Sequence, residues 1–126
     1  MATIGVLHPG EMGAAVGAVL AGAGHDVLWS SAGRSGATVR RAADAGLVDA
    51  GTVAGLMRRC DAILSVCPPH AALGVAREAA GFGGAFVDAN AVSPATTRAA
   101  AAIVEGARFA DGGIVGAPPR AAGDTA

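Results

Sequence analysis

Within the 28 residues from Thr3 to Ser30 the chain lays down an apolar run, a turn, a helix and a second apolar run, and that order leaves few folds open. Thr3-Ile4-Gly5-Val6-Leu7 has the length and continuous apolarity of a strand covered on both faces. His8-Pro9-Gly10 makes the turn. Met12, Ala15, Val16, Val19 and Leu20 then recur at the spacing of one helix face, with Glu11 at its start. Gly22 and Gly24 close that helix as C-terminal capping glycines do. Asp26-Val27-Leu28-Trp29-Ser30 reads as the second strand. Two strands and one helix in this length make one parallel, right-handed crossover unit.

The alternation continues to the end of the chain. Helices are expected from Gly36 to Ala45 and from Thr52 to Arg59. A buried strand is expected over Asp61-Ala62-Ile63-Leu64-Ser65-Val66, stopped by Pro68-Pro69. Ala71 to Ala80 is helix-like, Ala85-Phe86-Val87-Asp88 is a strand, and Pro94 opens a helix reaching about Glu105, since proline suits a helix start. Arg108 to Val115 reads as a last strand. Strands alternating with helices specify an α/β fold, a doubly wound and mostly parallel sheet in three layers, of the Rossmann type. Residues 1–117 are expected to form this one domain. Residues 118–126, with Pro118, Pro119 and Gly123, read as a linker or the start of a helical C-terminal domain outside the chain.

Composition narrows the possible partners. A chain of 126 residues with net charge −1 presents no basic field for nucleic acid. The longest helix-like apolar stretch, Ala14 to Gly24, is too short to span a bilayer. No basic residue precedes the first apolar run, which makes it a poor signal peptide. Cys60 and Cys67 have no disulfide-framework or metal-ligand spacing, so a reduced cytoplasmic setting is expected and no metal site. All nine basic residues are arginine; lysine is absent.

The turn after the first strand is the leading site. In a glycine-rich phosphate loop of the form GxGxxG, the first glycine makes the turn, the second admits a pyrophosphate against the backbone, and the third lets helix and strand pack closely. Gly10 and Gly13 match the second and third positions, and His8 holds the first. The helix that follows presents free N–H groups and a partial positive charge to an anion, about 0.3–1 kcal/mol from the dipole. With a strand before it and a helix and strand after it, the loop reads as a dinucleotide site.

The second strand speaks to which dinucleotide. NAD-binding units place Asp or Glu at its end to take the adenosine ribose hydroxyl. Here that end is Ser30-Ser31, with Arg34 shortly after. Hydroxyls and a guanidinium suit a 2′-phosphate, through charge-assisted hydrogen bonds of about 1.5–3 kcal/mol each. NADP is therefore the expected cofactor, with NAD the alternative.

Three segments together resemble one family. Ile4 to Gly13, ending Pro9-Gly10-Glu11-Met12-Gly13, is similar to the opening IGFIGLGxMG of the β-hydroxyacid dehydrogenases, which include 6-phosphogluconate and 3-hydroxyisobutyrate dehydrogenases and the imine reductases. Asp88-Ala89-Asn90-Ala91-Val92-Ser93-Pro94 matches the spacing of their DxSTxxP segment, and Asp111 to Gly116 is similar to DxPVSGG. The chain departs at His8 and Pro9 in the first segment, and at Gly113 and Val115 in the last. The resemblance implies that Gly10, Glu11 and Met12 cradle the pyrophosphate and that Ser31 and Arg34 hold the adenosine end. It implies that Val66, Cys67 and Pro68 line the nicotinamide ribose. His8 and Asn90 are counted with these cofactor-binding residues; Asn90 also stands where the family has a substrate-contacting serine, and Gly116 falls in the substrate-binding last segment. The family's catalytic lysine and dimer interface lie on a C-terminal helical domain, so this chain is expected to carry no catalytic residue. A small-molecule substrate and a homodimer formed through that domain follow from the resemblance.

Other residues read more simply. His70 is expected to begin a helix, His25 to sit in a surface turn, Cys60 to be a buried small hydrophobe, and the Cys67 thiol to be passive because no histidine is placed to activate it. Asp88 ends a strand at the ligand edge and is equally suited to capping the next turn. Three functions stay open: the NADP-binding half of a hydride-transferring oxidoreductase, a non-catalytic NADP(H)-sensing module, and a domain binding another phosphorylated ligand because His8 closes the loop.

Overall fold

The computed structural model describes residues 2–7 and 9–112. Six strands form one sheet: β1 (Thr3–Val6), β2 (Asp26–Trp29), β3 (Val48–Asp49), β4 (Ala62–Ser65), β5 (Ala85–Asp88) and β6 (Arg108–Asp111). Five α-helices connect them: α1 (Glu11–Gly22), α2 (Gly36–Asp44), α3 (Val53–Arg59), α4 (Ala72–Glu78) and α5 (Pro94–Ile103). The strand order is β3-β2-β1-β4-β5-β6 and every pairing is parallel. This is the doubly wound α/β sheet that the alternation of elements requires.

The strand residues sort by the two-residue period of the pleat. Val6, Val27 and Trp29 join Ala42 of α2 and Leu47 in a small core on one face, with Leu20 and Ala21 of α1 against it. Leu28, Ile63 and Phe86 point to the other face, into a larger core with Leu56 of α3, Val75 and Ala76 of α4, and Ala100 of α5. Phe86 is fully buried and stacks on Phe109 of β6 with centroids 6.0 Å apart. Aromatic side chains are few, so small residues set the layer spacing. At Gly5 of β1, a Cβ would stand 2.6 Å from Leu56 Cδ2 and 3.0 Å from Cys60 Sγ. Only a residue without a side chain lets α3 lie that close to the sheet.

Beyond shifts of one or two residues at element ends, two features differ from the sequence expectation. The edge strand β3 has no counterpart in it, because two exposed residues form no apolar run. The last strand, expected over residues 108–115, ends at Asp111, and its residues beyond 112 lie outside the described part. Helix starts follow their caps. Ser35, Thr52 and Ser93 accept from the main-chain N–H groups of Thr38, Gly55 and Thr96 at 3.2, 3.0 and 3.2 Å. The start of α1 has no such side chain: its N-cap is Gly10.

Candidate dinucleotide site

The strand order reverses beside β1, which is flanked by β2 on one side and β4 on the other. At such a switch point the loops leaving neighbouring strands run in opposite directions and open a crevice beyond their C-terminal ends. A cleft of about 420 Å³ lies there. The structure brings together seven of the residues singled out from sequence: Gly10, Glu11 and Met12 after β1, Val66, Cys67 and Pro68 after β4, and Asn90 after β5. Gly13, Pro69, Ala89 and Ala91 complete the lining. Gly13 is the third glycine of the loop motif, while Pro69, Ala89 and Ala91 carry no chemical signature in the sequence.

The floor of the cleft is the start of α1. The first intrahelical bond runs from Ala14 N–H to Gly10 C=O at 2.8 Å, so the N–H groups of Glu11, Met12 and Gly13 precede the helical ladder, and among the described residues no side chain caps them. Gly10 has φ −69° and ψ −169°, which any residue adopts. A Cβ built on it meets nothing within 4 Å among the described residues. Glycine is thus not demanded by the described fold at this position; it leaves the space beside the backbone open. Glu11 is exposed at the rim. His8 lies outside the described residues, as does Gly116.

The far wall is a hydrogen-bonded staple between the loops after β4 and β5. Asn90 is 6% exposed. Its Oδ1 accepts from Cys67 N–H at 2.7 Å, and its Nδ2 donates to Ser65 Oγ at 2.9 Å. Its own N–H donates to Asp88 Oδ1 at 3.0 Å, so the buried Asp88 caps the turn that carries Asn90. An amide has two N–H donors, and the staple accounts for one of them. Burial pushes the Cys67 thiol above its usual range, outweighing the hydrogen bond from Ser65 that lowers it. Burial thus disfavours the reactive thiolate form of Cys67. His70, exposed in the 3₁₀ turn Pro69–Ala71, stands at the start of the helical segment.

The residues expected to hold the adenosine end, Ser30, Ser31 and Arg34, follow the C-terminal end of β2 and are not part of the cleft lining. Ser30 is buried and donates to Gly51 C=O at 2.9 Å. Ser31 meets Asp49, the last residue of β3: its N–H donates to Asp49 Oδ1 at 3.3 Å. The Ser31 side chain, foremost among its causes, holds the Asp49 carboxyl below its usual range. Arg34 Nη2 lies 3.4 Å from Glu78 Oε2 in an ion pair. Both serines and Arg34 thus make protein contacts, and a carboxylate stands where none was anticipated. Asp49 escaped sequence reading because its strand did. A further residue reaches the site from α2: Arg41 Nη1 donates to Pro9 C=O at 3.1 Å.

Among the described residues, no group of three or more His, Cys, Asp or Glu is placed to hold a metal ion. No helix among them is long and apolar enough to cross a membrane.

A switch-point cleft floored by an uncapped helix start and an open glycine defines the class: a Rossmann-type dinucleotide-binding domain. Residues 3–125 match the NAD binding domain of 6-phosphogluconate dehydrogenase, and the chain belongs to that family. A search of curated proteins finds no match. Among solved structures, one similar chain is a conserved protein of unknown function described as structurally similar to 3-hydroxyacid dehydrogenases. It is 32% identical with a TM-score of 0.83, the match covering 91% of this chain and 44% of that one. An imine reductase variant from Myxococcus stipitatus in complex with NAD+ is 25% identical, TM-score 0.73, covering 94% and 42%. A reductive aminase from Aspergillus terreus in complex with NADPH and ethyl levulinate shares the fold at 20% identity, TM-score 0.77, covering 94% and 42%. This chain therefore spans less than half the length of the solved structures it matches. The family shown by these matches is the one its three sequence segments resemble.

Proposed function

We propose that the chain is the NADP-binding part of an oxidoreductase that moves hydride between a nicotinamide and a small hydroxyacid or imine. The observation that carries this reading is the cleft itself. It has a backbone anion site at the start of α1, an open approach at Gly10, and a stapled wall formed by Cys67 and Asn90. These residues fit a nicotinamide dinucleotide, with pyrophosphate on the α1 N–H groups and the nicotinamide half along Val66, Cys67 and Pro68. When bound, the cofactor supplies the hydride; the chain's residues bind it, orient it and exclude water from one side. A substrate contact at Asn90 uses the amide N–H that the staple does not take. The catalytic group and a dimer interface belong, on this reading, to a helical domain outside the chain, as the share of the matched structures suggests.

NADP is favoured because β2 is followed by Ser30-Ser31, with no acid there, and then by Arg34. A second reading, with NAD, is favoured by Asp49. A carboxylate beside Ser31 accepts from a ribose hydroxyl and repels a 2′-phosphate. Titration with NADPH and NADH, followed by the fluorescence of Trp29, tests both. Trp29 is the sole tryptophan and lies one residue from Ser30. Tighter NADPH binding supports NADP, tighter NADH binding supports the Asp49 reading, and binding of neither overturns the cofactor assignment.

A further inference from the structure

Three arginines follow β2, and the structure gives them different surroundings. Arg34 faces the Glu78 carboxylate at 3.4 Å, which spends part of its attraction for any other anion. Arg40 is exposed, with Nη1 3.4 Å from the position a Cβ on Gly36 would occupy, so its head lies along its own helix. Arg41 is half-buried, and its Nη1 is tied at 3.1 Å to the carbonyl of Pro9, the residue just before Gly10. The two partners are 32 residues apart, so this bond is made only because α2 packs beside the loop. Its acceptor is a neutral carbonyl. The contact therefore fixes the guanidinium at the loop without cancelling its charge, and it uses one of five N–H donors. A planar fork held this way is suited to the oxygens of a phosphate monoester.

We propose that Arg41 is the residue that selects for a phosphate on the adenosine ribose of the dinucleotide, with Arg34 secondary to it. The assignment rests on the NADP reading above. The pyrophosphate offers the same chemistry, but it is common to both coenzymes, so the two sources separate experimentally.

The test is calorimetric titration of the chain, of Arg41→Gln, Arg41→Lys and Arg34→Gln, and of Arg40→Gln as a surface control, each with NADPH and with NADH. Unfolding midpoints establish that every variant is folded. Arg41→Gln is expected to weaken NADPH by about 10- to 100-fold and NADH by less than about threefold, with Arg41→Lys recovering part of the loss because it keeps the charge. Arg40→Gln is expected to leave both affinities in place. Equal losses for NADPH and NADH in Arg41→Gln make Arg41 a support for the loop and overturn the assignment. A selective loss in Arg34→Gln with none in Arg41→Gln also overturns it, while leaving the NADP reading intact. A wild-type chain that does not prefer NADPH overturns the NADP reading and this assignment with it.

Discussion

Gly10 shows how a residue's role is decided by what surrounds it. Its backbone angles are ordinary, and a methyl group there meets no atom of the described residues within 4 Å. Gly10→Ala is therefore expected to cost at most about 1 kcal/mol of stability, the scale of an N-cap change. On the proposed reading the same methyl stands in the path of a pyrophosphate, so dinucleotide affinity is expected to fall by more than about tenfold, or 1.4 kcal/mol. Thermal unfolding and coenzyme titration of the same preparation separate the two effects. Unchanged affinity would remove Gly10 from the site. Asn90 is the complementary case: a substrate contact by family resemblance, it also stitches β4 to β5 in the structure. That second role was not legible, because hydrogen bonds between residues 23 and 25 apart leave no local pattern.

Elements were legible in proportion to how much apolar surface they bury. β1, β4 and β5 have core-facing side chains and stood out as apolar runs. β3 has two exposed residues and is held to the sheet by backbone pairing with Leu28 and Trp29. It therefore carries no hydrophobic period, and Asp49 was hidden with it. The packing of α3 on β1 is the tightest contact between elements that rests on a glycine in this site's supporting frame. Gly5→Ala would force its Cβ to 2.6 Å from Leu56 Cδ2. Leu56 is fully buried and has little room to yield. The expected loss is about 1–3 kcal/mol, the usual cost of overpacking. Urea denaturation reads it, and a loss below about 0.5 kcal/mol would mean that α3 shifts freely on the sheet.

At the scale of the whole molecule, two cores of unequal size flank one sheet, and Cys60 packs at the edge of the larger. Burial pushes its thiol from 9.0 up to about 11, against a smaller lowering by Arg59. The folded state thus holds the proton more tightly than the unfolded chain. Its contribution is complete below about pH 9 and is lost as the pH rises toward about 11. A half-buried group is partly screened, so about 1 kcal/mol is expected over that interval. Cys67, also raised, adds in the same direction. Denaturation midpoints at neutral and alkaline pH check this: Cys60→Ala should show a shallower alkaline decline than the wild type. An identical decline would assign the effect to other groups.

Local patterning by itself determined the order and type of nearly every element, the parallel sheet they form, and the loop where an anion can meet the start of α1. Each of these depends on the period of apolar side chains, on turn residues or on capping residues, which act over a few positions. The tertiary structure alone decided which groups meet Ser31, Arg34 and the loop before α1. Asp49 reaches Ser31 through an edge strand, Glu78 reaches Arg34 across 44 positions, and Arg41 reaches Pro9 from a helix. Charges act through space over a few ångströms, and only the folded chain brings these within that range.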